Sequence, residues 1–165
     1  MATTYEKIAT TTLGSASATI TFSSIAGTYT DLRLVITALQ GSGNNIALRF
    51  NSDSGANYSR TRLIGNGTSA TSTQATGDTE IDLNREGLSA TAPSLYEIDI
   101  FSYAGSTYKT LLATANEDRN GSGSVMRVVG LWSSTSAIST ILITSLSADT
   151  MGVGTTATLY GIKAA

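Results

Sequence analysis

Short segments in which apolar and polar residues alternate recur along the whole chain, and this period-two pattern constrains the fold more than any other feature. Gly, Asn, Asp and Ser residues bound the segments, and no stretch of any length has a helical pattern. Eleven such segments predict a single all-β domain over 1–165, an antiparallel jelly-roll-like β-sandwich. The predicted strands are Tyr5–Thr12, Ala16–Ser23, Asp31–Leu39, Asn45–Phe50, Tyr58–Gly65, Thr79–Leu83, Ser94–Tyr103, Thr107–Ala115, Ser124–Trp132, Ser139–Leu146 and Thr156–Ile162.

Breaks in the pattern also carry information. Pro93 stands directly before a predicted strand, where its missing N–H does least harm to a ladder. The segment Thr68–Thr73 has no apolar alternation and is interpreted as a mobile loop. The first residues have neither the basic end nor the apolar run of a signal peptide, so synthesis in the cytosol is expected.

Most predicted strands are apolar on one face only, but two late strands are apolar on both. In Ser124–Trp132, the residues Val125, Val129 and Leu131 lie opposite the core-forming set, and in Ser139–Leu146 the same is true of Leu142 and Leu146. A second apolar face is covered either by loops of the same chain or by another subunit, and the pattern leaves both open. The predicted subunit interface consists of Val125, Val129, Leu131, Leu142 and Leu146.

The composition excludes several classes of chemistry. The chain has no histidine and no cysteine, so a Ser-His-Asp triad, a histidine-bound zinc, a thiol nucleophile and disulfides are all absent. Ten basic and twelve acidic residues amount to only 13% of the chain, with no basic stripe that would neutralise several phosphates. We therefore expect a protein without catalytic residues or cofactor that binds neither nucleic acid nor membrane.

Two carboxylate pairs are the remaining candidates for catalysis. Glu97 and Asp99 share one strand face, as do Glu80 and Asp82, and residues two apart on a strand are separated by about 6.5–7 Å. Glycoside hydrolysis needs only two carboxylates at a suitable separation. The favoured interpretation is that they are solvated, outward-facing residues paired with arginine.

The segment Asn51–Tyr58 is rich in oxygen ligands, and calcium binding through Asp53 with the carbonyl groups of Asn51 and Asn57 is one interpretation. A turn is favoured, because one carboxylate makes a poor calcium site and these residue types are common turn formers. Trp132 is the aromatic residue considered for carbohydrate stacking, with core packing as the favoured interpretation.

Three stretches resemble small virion proteins of tailed bacteriophages, particularly cyanophages and other aquatic phages. They are Tyr5–Thr10 leading into Ala18–Ile25, Phe50–Ser59 in the centre, and Ala157–Lys163 at the end. The resemblance implies a jelly-roll capsid decoration (cement) protein, or a head or tail accessory protein of similar β architecture. Proteins of this kind commonly sit as trimers on the outer shell and staple neighbouring capsomers.

The resemblance thus implies a homotrimer that is made in the host cytoplasm and contacts the phage major capsid protein on the outer capsid surface. Residues 1–12 would either add a strand to a neighbour or pair within their own sheet. The alternative function is a tail-fibre or receptor-binding module that recognises cell-surface carbohydrate. That alternative predicts an exposed ring near Trp132 or in the Gly65–Asp78 segment.

Overall fold

The computed structural model describes residues 4–42, 45–83, 87–146 and 149–163, in which twelve β-strands and no α-helix occur. Each of the eleven predicted segments overlaps one of these strands, and the bounds of β1, β5 and β12 are those predicted. The strands are β1 (Tyr5–Thr12), β2 (Thr19–Phe22), β3 (Asp31–Ala38), β4 (Ile46–Phe50), β5 (Tyr58–Gly65), β6 (Ala70–Asp78), β7 (Ile81–Asp82), β8 (Ser94–Phe101), β9 (Lys109–Asp118), β10 (Gly123–Trp132), β11 (Ile141–Ser145) and β12 (Thr156–Ile162).

The strands form two antiparallel sheets with jelly-roll topology. The large sheet has eight strands in the order β1-β12-β3-β8-β9-β10-β5-β6, and the small sheet has four in the order β2-β11-β4-β7. The pairs β1–β12, β2–β11, β3–β8 and β4–β7 are nested, as in a long hairpin that has been rolled up. The predicted all-β sandwich is therefore confirmed. In this arrangement β1 pairs with β12 of the same chain.

Two hairpins interrupt this nested order. The hairpin β5–β6 is inserted between β4 and β7, and β9–β10 is inserted between β8 and β11. Both add to the same side of the large sheet, beyond β8, and so produce the difference of eight strands against four.

The predicted mobile loop Thr68–Thr73 is wrong, because most of it belongs to β6. The turn before β6 is closed by Asn66, whose Oδ1 accepts hydrogen bonds from the backbone N–H groups of Thr68 (3.1 Å) and Ser69 (2.9 Å). Both faces of β6 are largely exposed, so its sequence lacks apolar alternation although its threonines favour a strand.

The core lies between the two sheets and contains the inward residues that the alternation predicts. Close approach of the sheets is visible at Gly130 of β10, where an added Cβ would lie 2.8–2.9 Å from two methyl groups of Ile81 on β7. The predicted inward sets of β3, β4 and β8 are all fully buried: Leu32, Leu34, Ile36, Ala38, Ile46, Leu48, Phe50, Tyr96, Ile98 and Ile100.

Candidate interaction surface

The outer face of the large sheet carries apolar side chains on four adjacent strands, β5, β10, β9 and β8, of which Leu112 on β9 is half-buried. Val129 of β10, for example, lies between Thr61 of β5 and Leu112 of β9 in the register of the sheet. The side chains of Val125, Leu63 and Val129 are 63%, 55% and 48% exposed, values high enough for direct contact with a partner. We call this set the outer apolar patch, and it consists of Leu63, Leu95, Phe101, Leu112, Val125, Val129 and Leu131.

The structure does not bring the five predicted interface residues onto one surface. Val125, Val129 and Leu131 lie on the outer apolar patch, and no loop in the described part of the chain covers Val125 or Val129, so covering by loops is wrong for these two valines. Leu142 lies on the small sheet, pointing away from the core that Ile141 and Ile143 enter on either side of it. Leu146 follows β11 and lines a shallow depression with Arg60 and Asp82. Assigning these residues to one surface would have required the strand order.

A groove of about 380 Å³ runs along the patch where β5 meets β10. Its apolar walls include Leu63 and Val125, and the charged group at its side is Arg127. The guanidinium of Arg127 donates a hydrogen bond to the Oγ1 of Thr114 at 2.6 Å, so it lies along the sheet rather than projecting from it. The groove therefore offers mainly apolar contact beside one cation.

On β8 an ion-paired segment interrupts the patch between Leu95 and Phe101. Arg33 contacts Glu97 at 3.0 Å and Asp99 at 3.2 Å. This arrangement confirms the interpretation of that carboxylate pair as outward residues partnered by arginine. Both carboxylates serve as acceptors for one guanidinium, which is a structural role.

The second carboxylate pair differs from the expectation. Glu80 contacts Arg49 at 2.8 Å, but Asp82 is only 5% exposed, so the prediction of a solvated side chain is wrong for Asp82. Its carboxylate contacts Arg62 at 3.2 Å and Arg60 at 3.7 Å. Arg62 is itself 2% exposed, which makes this a buried network between β5 and the last strand of the small sheet. The sequence did hold a signal for this network, because Arg60 and Arg62 fall at the alternate positions of β5 that also place Tyr58 and Ile64 on the inward face.

The Asn51–Tyr58 segment is a turn in which both carboxylate oxygens of Asp53 accept hydrogen bonds from N–H groups. Asp53 accepts from the Nε1 of Trp132 at 2.7 Å, from the backbone N of Gly55 at 2.8 Å and from the Nδ2 of Asn57 at 3.0 Å. These bonds, that of the indole first, hold the pKa of Asp53 below its usual value. Asn51 occupies a left-handed conformation at φ 51°, and its Oδ1 accepts from the backbone N of Ser139 at 2.8 Å. The arrangement supports the turn interpretation over a calcium site.

Trp132 is 2% exposed and belongs to the core, as the favoured interpretation predicted. Its ring stacks on Tyr58 with centroids 6.4 Å apart and planes 16° apart, and it packs at 5.7 Å against Phe50. Burial raises the pKa of Tyr58 to about 12. The exposed rings at this end of the sheet include Phe101 and Tyr108; Tyr108, which precedes the β9 residue paired with Trp132, is 55% exposed.

Lys109 is the one lysine among the described residues whose side chain is fully buried. Its Nζ donates to the carbonyl oxygens of Gly105 (2.7 Å) and Thr107, so it holds the loop that leads into β9. Burial lowers the pKa of Lys109. Its contacts with main-chain carbonyls indicate a role in loop structure.

No group of three or more acidic side chains in the described ranges is arranged to hold a metal ion. The same residues include no helix long and apolar enough to cross a membrane. Comparisons with protein-family models, with curated proteins and with solved structures found no match to this chain. The outer apolar patch is the candidate functional surface because it exposes large apolar side chains on adjacent strands.

Proposed function

We propose that this chain is a non-enzymatic structural protein of a bacteriophage virion, and specifically a capsid decoration protein that bridges neighbouring capsomers on the outer head surface. The observation that carries the proposal is the outer apolar patch, which spans four strands of a rigid sheet. The resemblance of three stretches to virion proteins of tailed phages supplies the biological setting. The proposal includes a homotrimer that contacts the major capsid protein.

The chemistry of the patch suits a protein that acts by contact. The centre of a protein interface is depleted in charged residues, and here Arg127 is the charged side chain that lies among the apolar residues of β5 and β10. The patch rests on buried strands, so its side chains are held in fixed positions before binding. On a lattice, many modest contacts of this kind act together, and avidity raises the total affinity without a deep pocket.

The test replaces patch valines by aspartate and measures assembly. We expect Val125→Asp and Val129→Asp to lower co-sedimentation with undecorated phage heads by more than about tenfold, because each buries a charge in an apolar contact. The matched control is Val153→Asp, a turn valine that is 59% exposed and lies outside the patch. Light scattering on the same samples reports the mass of the free assembly.

Three outcomes would contradict the proposal. The first is a wild-type chain that is a stable monomer of 17.0 kDa without affinity for heads. The second is a loss of binding in Val153→Asp as large as in the patch variants. The third is full binding by the double variant of Val125 and Val129.

A receptor-binding module is the second candidate, and the exposed ring of Tyr108 is the observation that favours it. Trp132 cannot act as the stacking platform in this fold, because its ring is buried against Tyr58 and Phe50. Under this alternative, Tyr108→Ala abolishes saturable binding to a glycan array or to host cells. Under the decoration proposal, the same variant binds phage heads as the wild type does.

A further inference from the structure

The strand β6 forms an edge of the large sheet whose residues 70–76 have none of the usual protection against pairing, since its bulge at Gly77 and the charged Asp78 lie at its end. It is nine residues long, and the part from Ala70 to Gly77 contains no charged residue and no proline. Among the described residues, no strand lies on the side of β6 away from β5. Native edge strands are commonly shortened, charged, bulged or interrupted by proline, because an open row of N–H and C=O groups is a template for another strand.

The other three edges of the sandwich are protected. At β1, Glu6 and Lys7 are charged and the register shifts between Lys7 and Ala9, as it does at a bulge. The edges of the small sheet are β2, with four residues, and β7, with two. A long, uncharged and open edge is therefore particular to β6.

The register of the β5–β6 hairpin shows which backbone groups are open. The N–H of Asn66 donates to the carbonyl of Ser69, and hydrogen-bonded pairs alternate from there along an antiparallel ladder. The β6 residues that bond to β5 are therefore Thr71, Thr73 and Ala75. The residues whose N–H and C=O groups point away from β5 are Ala70, Ser72, Gln74 and Thr76.

We propose that β6 pairs with β6 of a second copy of this chain, antiparallel and about a two-fold axis at Thr73. In this register Ser72 faces Gln74 of the second copy, and Ala70 faces Thr76. All four outward residues of each strand are then paired, with about eight hydrogen bonds across the contact. A shift of the axis by one residue in either direction leaves outward groups at one strand end without a partner, so this register satisfies the most groups.

A second copy suits this edge better than a charged partner. The side chains of β6 before Asp78 are small or polar and uncharged, so two copies approach each other without repulsion. The fold already pairs threonines across neighbouring strands, with Oγ1–Oγ1 distances of 3.1 Å between Thr10 and Thr158 and 2.9 Å between Thr12 and Thr156. The pairing joins two large sheets into one continuous sheet. It does not depend on the proposed virion function.

Disulfide trapping tests the pairing directly, because the chain has no cysteine of its own. At the two-fold axis the Thr73 residues form a non-hydrogen-bonded pair with Cα atoms about 4.5 Å apart, which a disulfide spans. We expect Thr73→Cys to form a disulfide-linked dimer under mild oxidation. The matched control is Thr71→Cys on the same strand and face, whose copies lie about 13 Å apart in this register. The control dimer should form more than about tenfold more slowly.

A second variant blocks the edge without touching the core. Gln74→Lys, added to Thr73→Cys, places a charge on an exposed side chain beside the axis and should slow cross-linking by about tenfold. It should also halve the mass of the wild-type assembly, which we expect to hold an even number of 17.0 kDa chains, six where the β6 contact joins two of the proposed trimers. Any one of three results would overturn the proposal. They are equal rates of cross-linking at positions 71 and 73, a rate that Gln74→Lys does not change, and a monomeric wild type. These readouts need no phage heads, so they are independent of the co-sedimentation test.

Discussion

Replacing Asp53 by asparagine tests whether a charged acceptor holds the turn between β4 and β5. The Oδ2 of Asp53 accepts from the indole of Trp132 at 2.7 Å, and its Oδ1 accepts from the backbone N of Gly55 at 2.8 Å. The Nδ2 of Asn57 donates to both oxygens, at 3.0 and 3.2 Å. An asparagine has only one acceptor oxygen, so its own amide group faces one of these donors.

The cost depends on which donor loses its partner. Gly55 is exposed, so water can replace the carboxylate there, whereas Trp132 is 2% exposed and its N–H is largely shielded from water. A buried donor without a partner costs about 1–3 kcal/mol, and bonds to a charged acceptor are at the upper end. We expect Asp53→Asn to lower the free energy of unfolding by about 2 kcal/mol. For a domain of this size that corresponds to a fall in Tm of about 4–8 °C.

Urea unfolding followed by fluorescence measures this change, because the chain has a single tryptophan and it lies at the site. The control is Asp118→Asn, since Asp118 accepts from the backbone N of Asn120 at 2.8 Å in a similar turn but is exposed. The control should stay within about 0.5 kcal/mol of the wild type. Equal losses of stability in the two variants would refute a special role for the carboxylate of Asp53.

The pH dependence supplies a second check with a defined sign. The hydrogen bonds from Trp132, Gly55 and Asn57 lower the pKa of Asp53 in the folded state. The stability that this carboxylate contributes is therefore complete above its unfolded pKa of about 3.9, and it is lost as the pH falls through the lower folded value. The difference in the free energy of unfolding between the wild type and Asp53→Asn should be constant from neutral pH to about pH 5 and shrink below about pH 4. A difference that stays constant into strong acid would contradict the assignment.

Two further substitutions probe the packing that holds the surface in place. Tyr58→Phe removes a buried hydroxyl that accepts from the N–H of Phe50 at 3.0 Å and donates to the carbonyl of Asp53 at 3.1 Å, so urea unfolding should show a loss of about 1–3 kcal/mol. Gly130→Ala introduces a methyl group against Ile81 and should cost about 1–3 kcal/mol by overpacking. The matched control for the glycine is Gly65→Ala on β5, where an added Cβ meets no atom within 4 Å, and equal destabilisation of both glycine variants would contradict the packing argument.

Local patterns in the sequence predicted where most strands lie, because alternation and turn residues act over a few neighbours. The bounds of β1, β5 and β12 were predicted to the residue. The strand β6 was missed because alternation arises only when one face is buried, and residues 70–74 are exposed on both faces. Its threonine content was the remaining signal, and it was outweighed by the absence of apolar residues.

The candidate surface was predicted only in part, because the pairing of strands far apart in the chain decides which residues share a surface. The second apolar face of β10 was visible in the sequence as Val125 and Val129, and both are exposed. Leu142 lies on another surface, because β11 belongs to the small sheet and β10 to the large one. That assignment depends on pairings between strands far apart in the chain, such as β2 with β11, which periodicity within a segment does not specify.

The two inserted hairpins explain why unusual features gather on one side of the sandwich. The eight nested strands of the jelly roll would bury both inner faces against each other, but β5, β6, β9 and β10 extend the large sheet beyond them. Where the small sheet ends at β7, the middle of the inner face of β5, between Tyr58 and Ile64, is closed by ion pairs of Arg60 and Arg62 with Asp82. The far strand β6 has no opposing layer and keeps an open edge.

The outer apolar patch lies mostly on the same inserted strands, so both proposed contacts belong to the insertions while the nested strands supply a stable frame. The two contacts use different chemistry. The patch contact buries the side chains of Val125 and Val129, whereas the β6 contact pairs main-chain N–H and C=O groups. Aspartate on the patch should therefore abolish one contact and leave the other, and lysine at Gln74 should do the reverse. If either substitution removed both contacts, the two would have to be parts of one interface, and the two-fold pairing and the patch would need to be explained by a single partner.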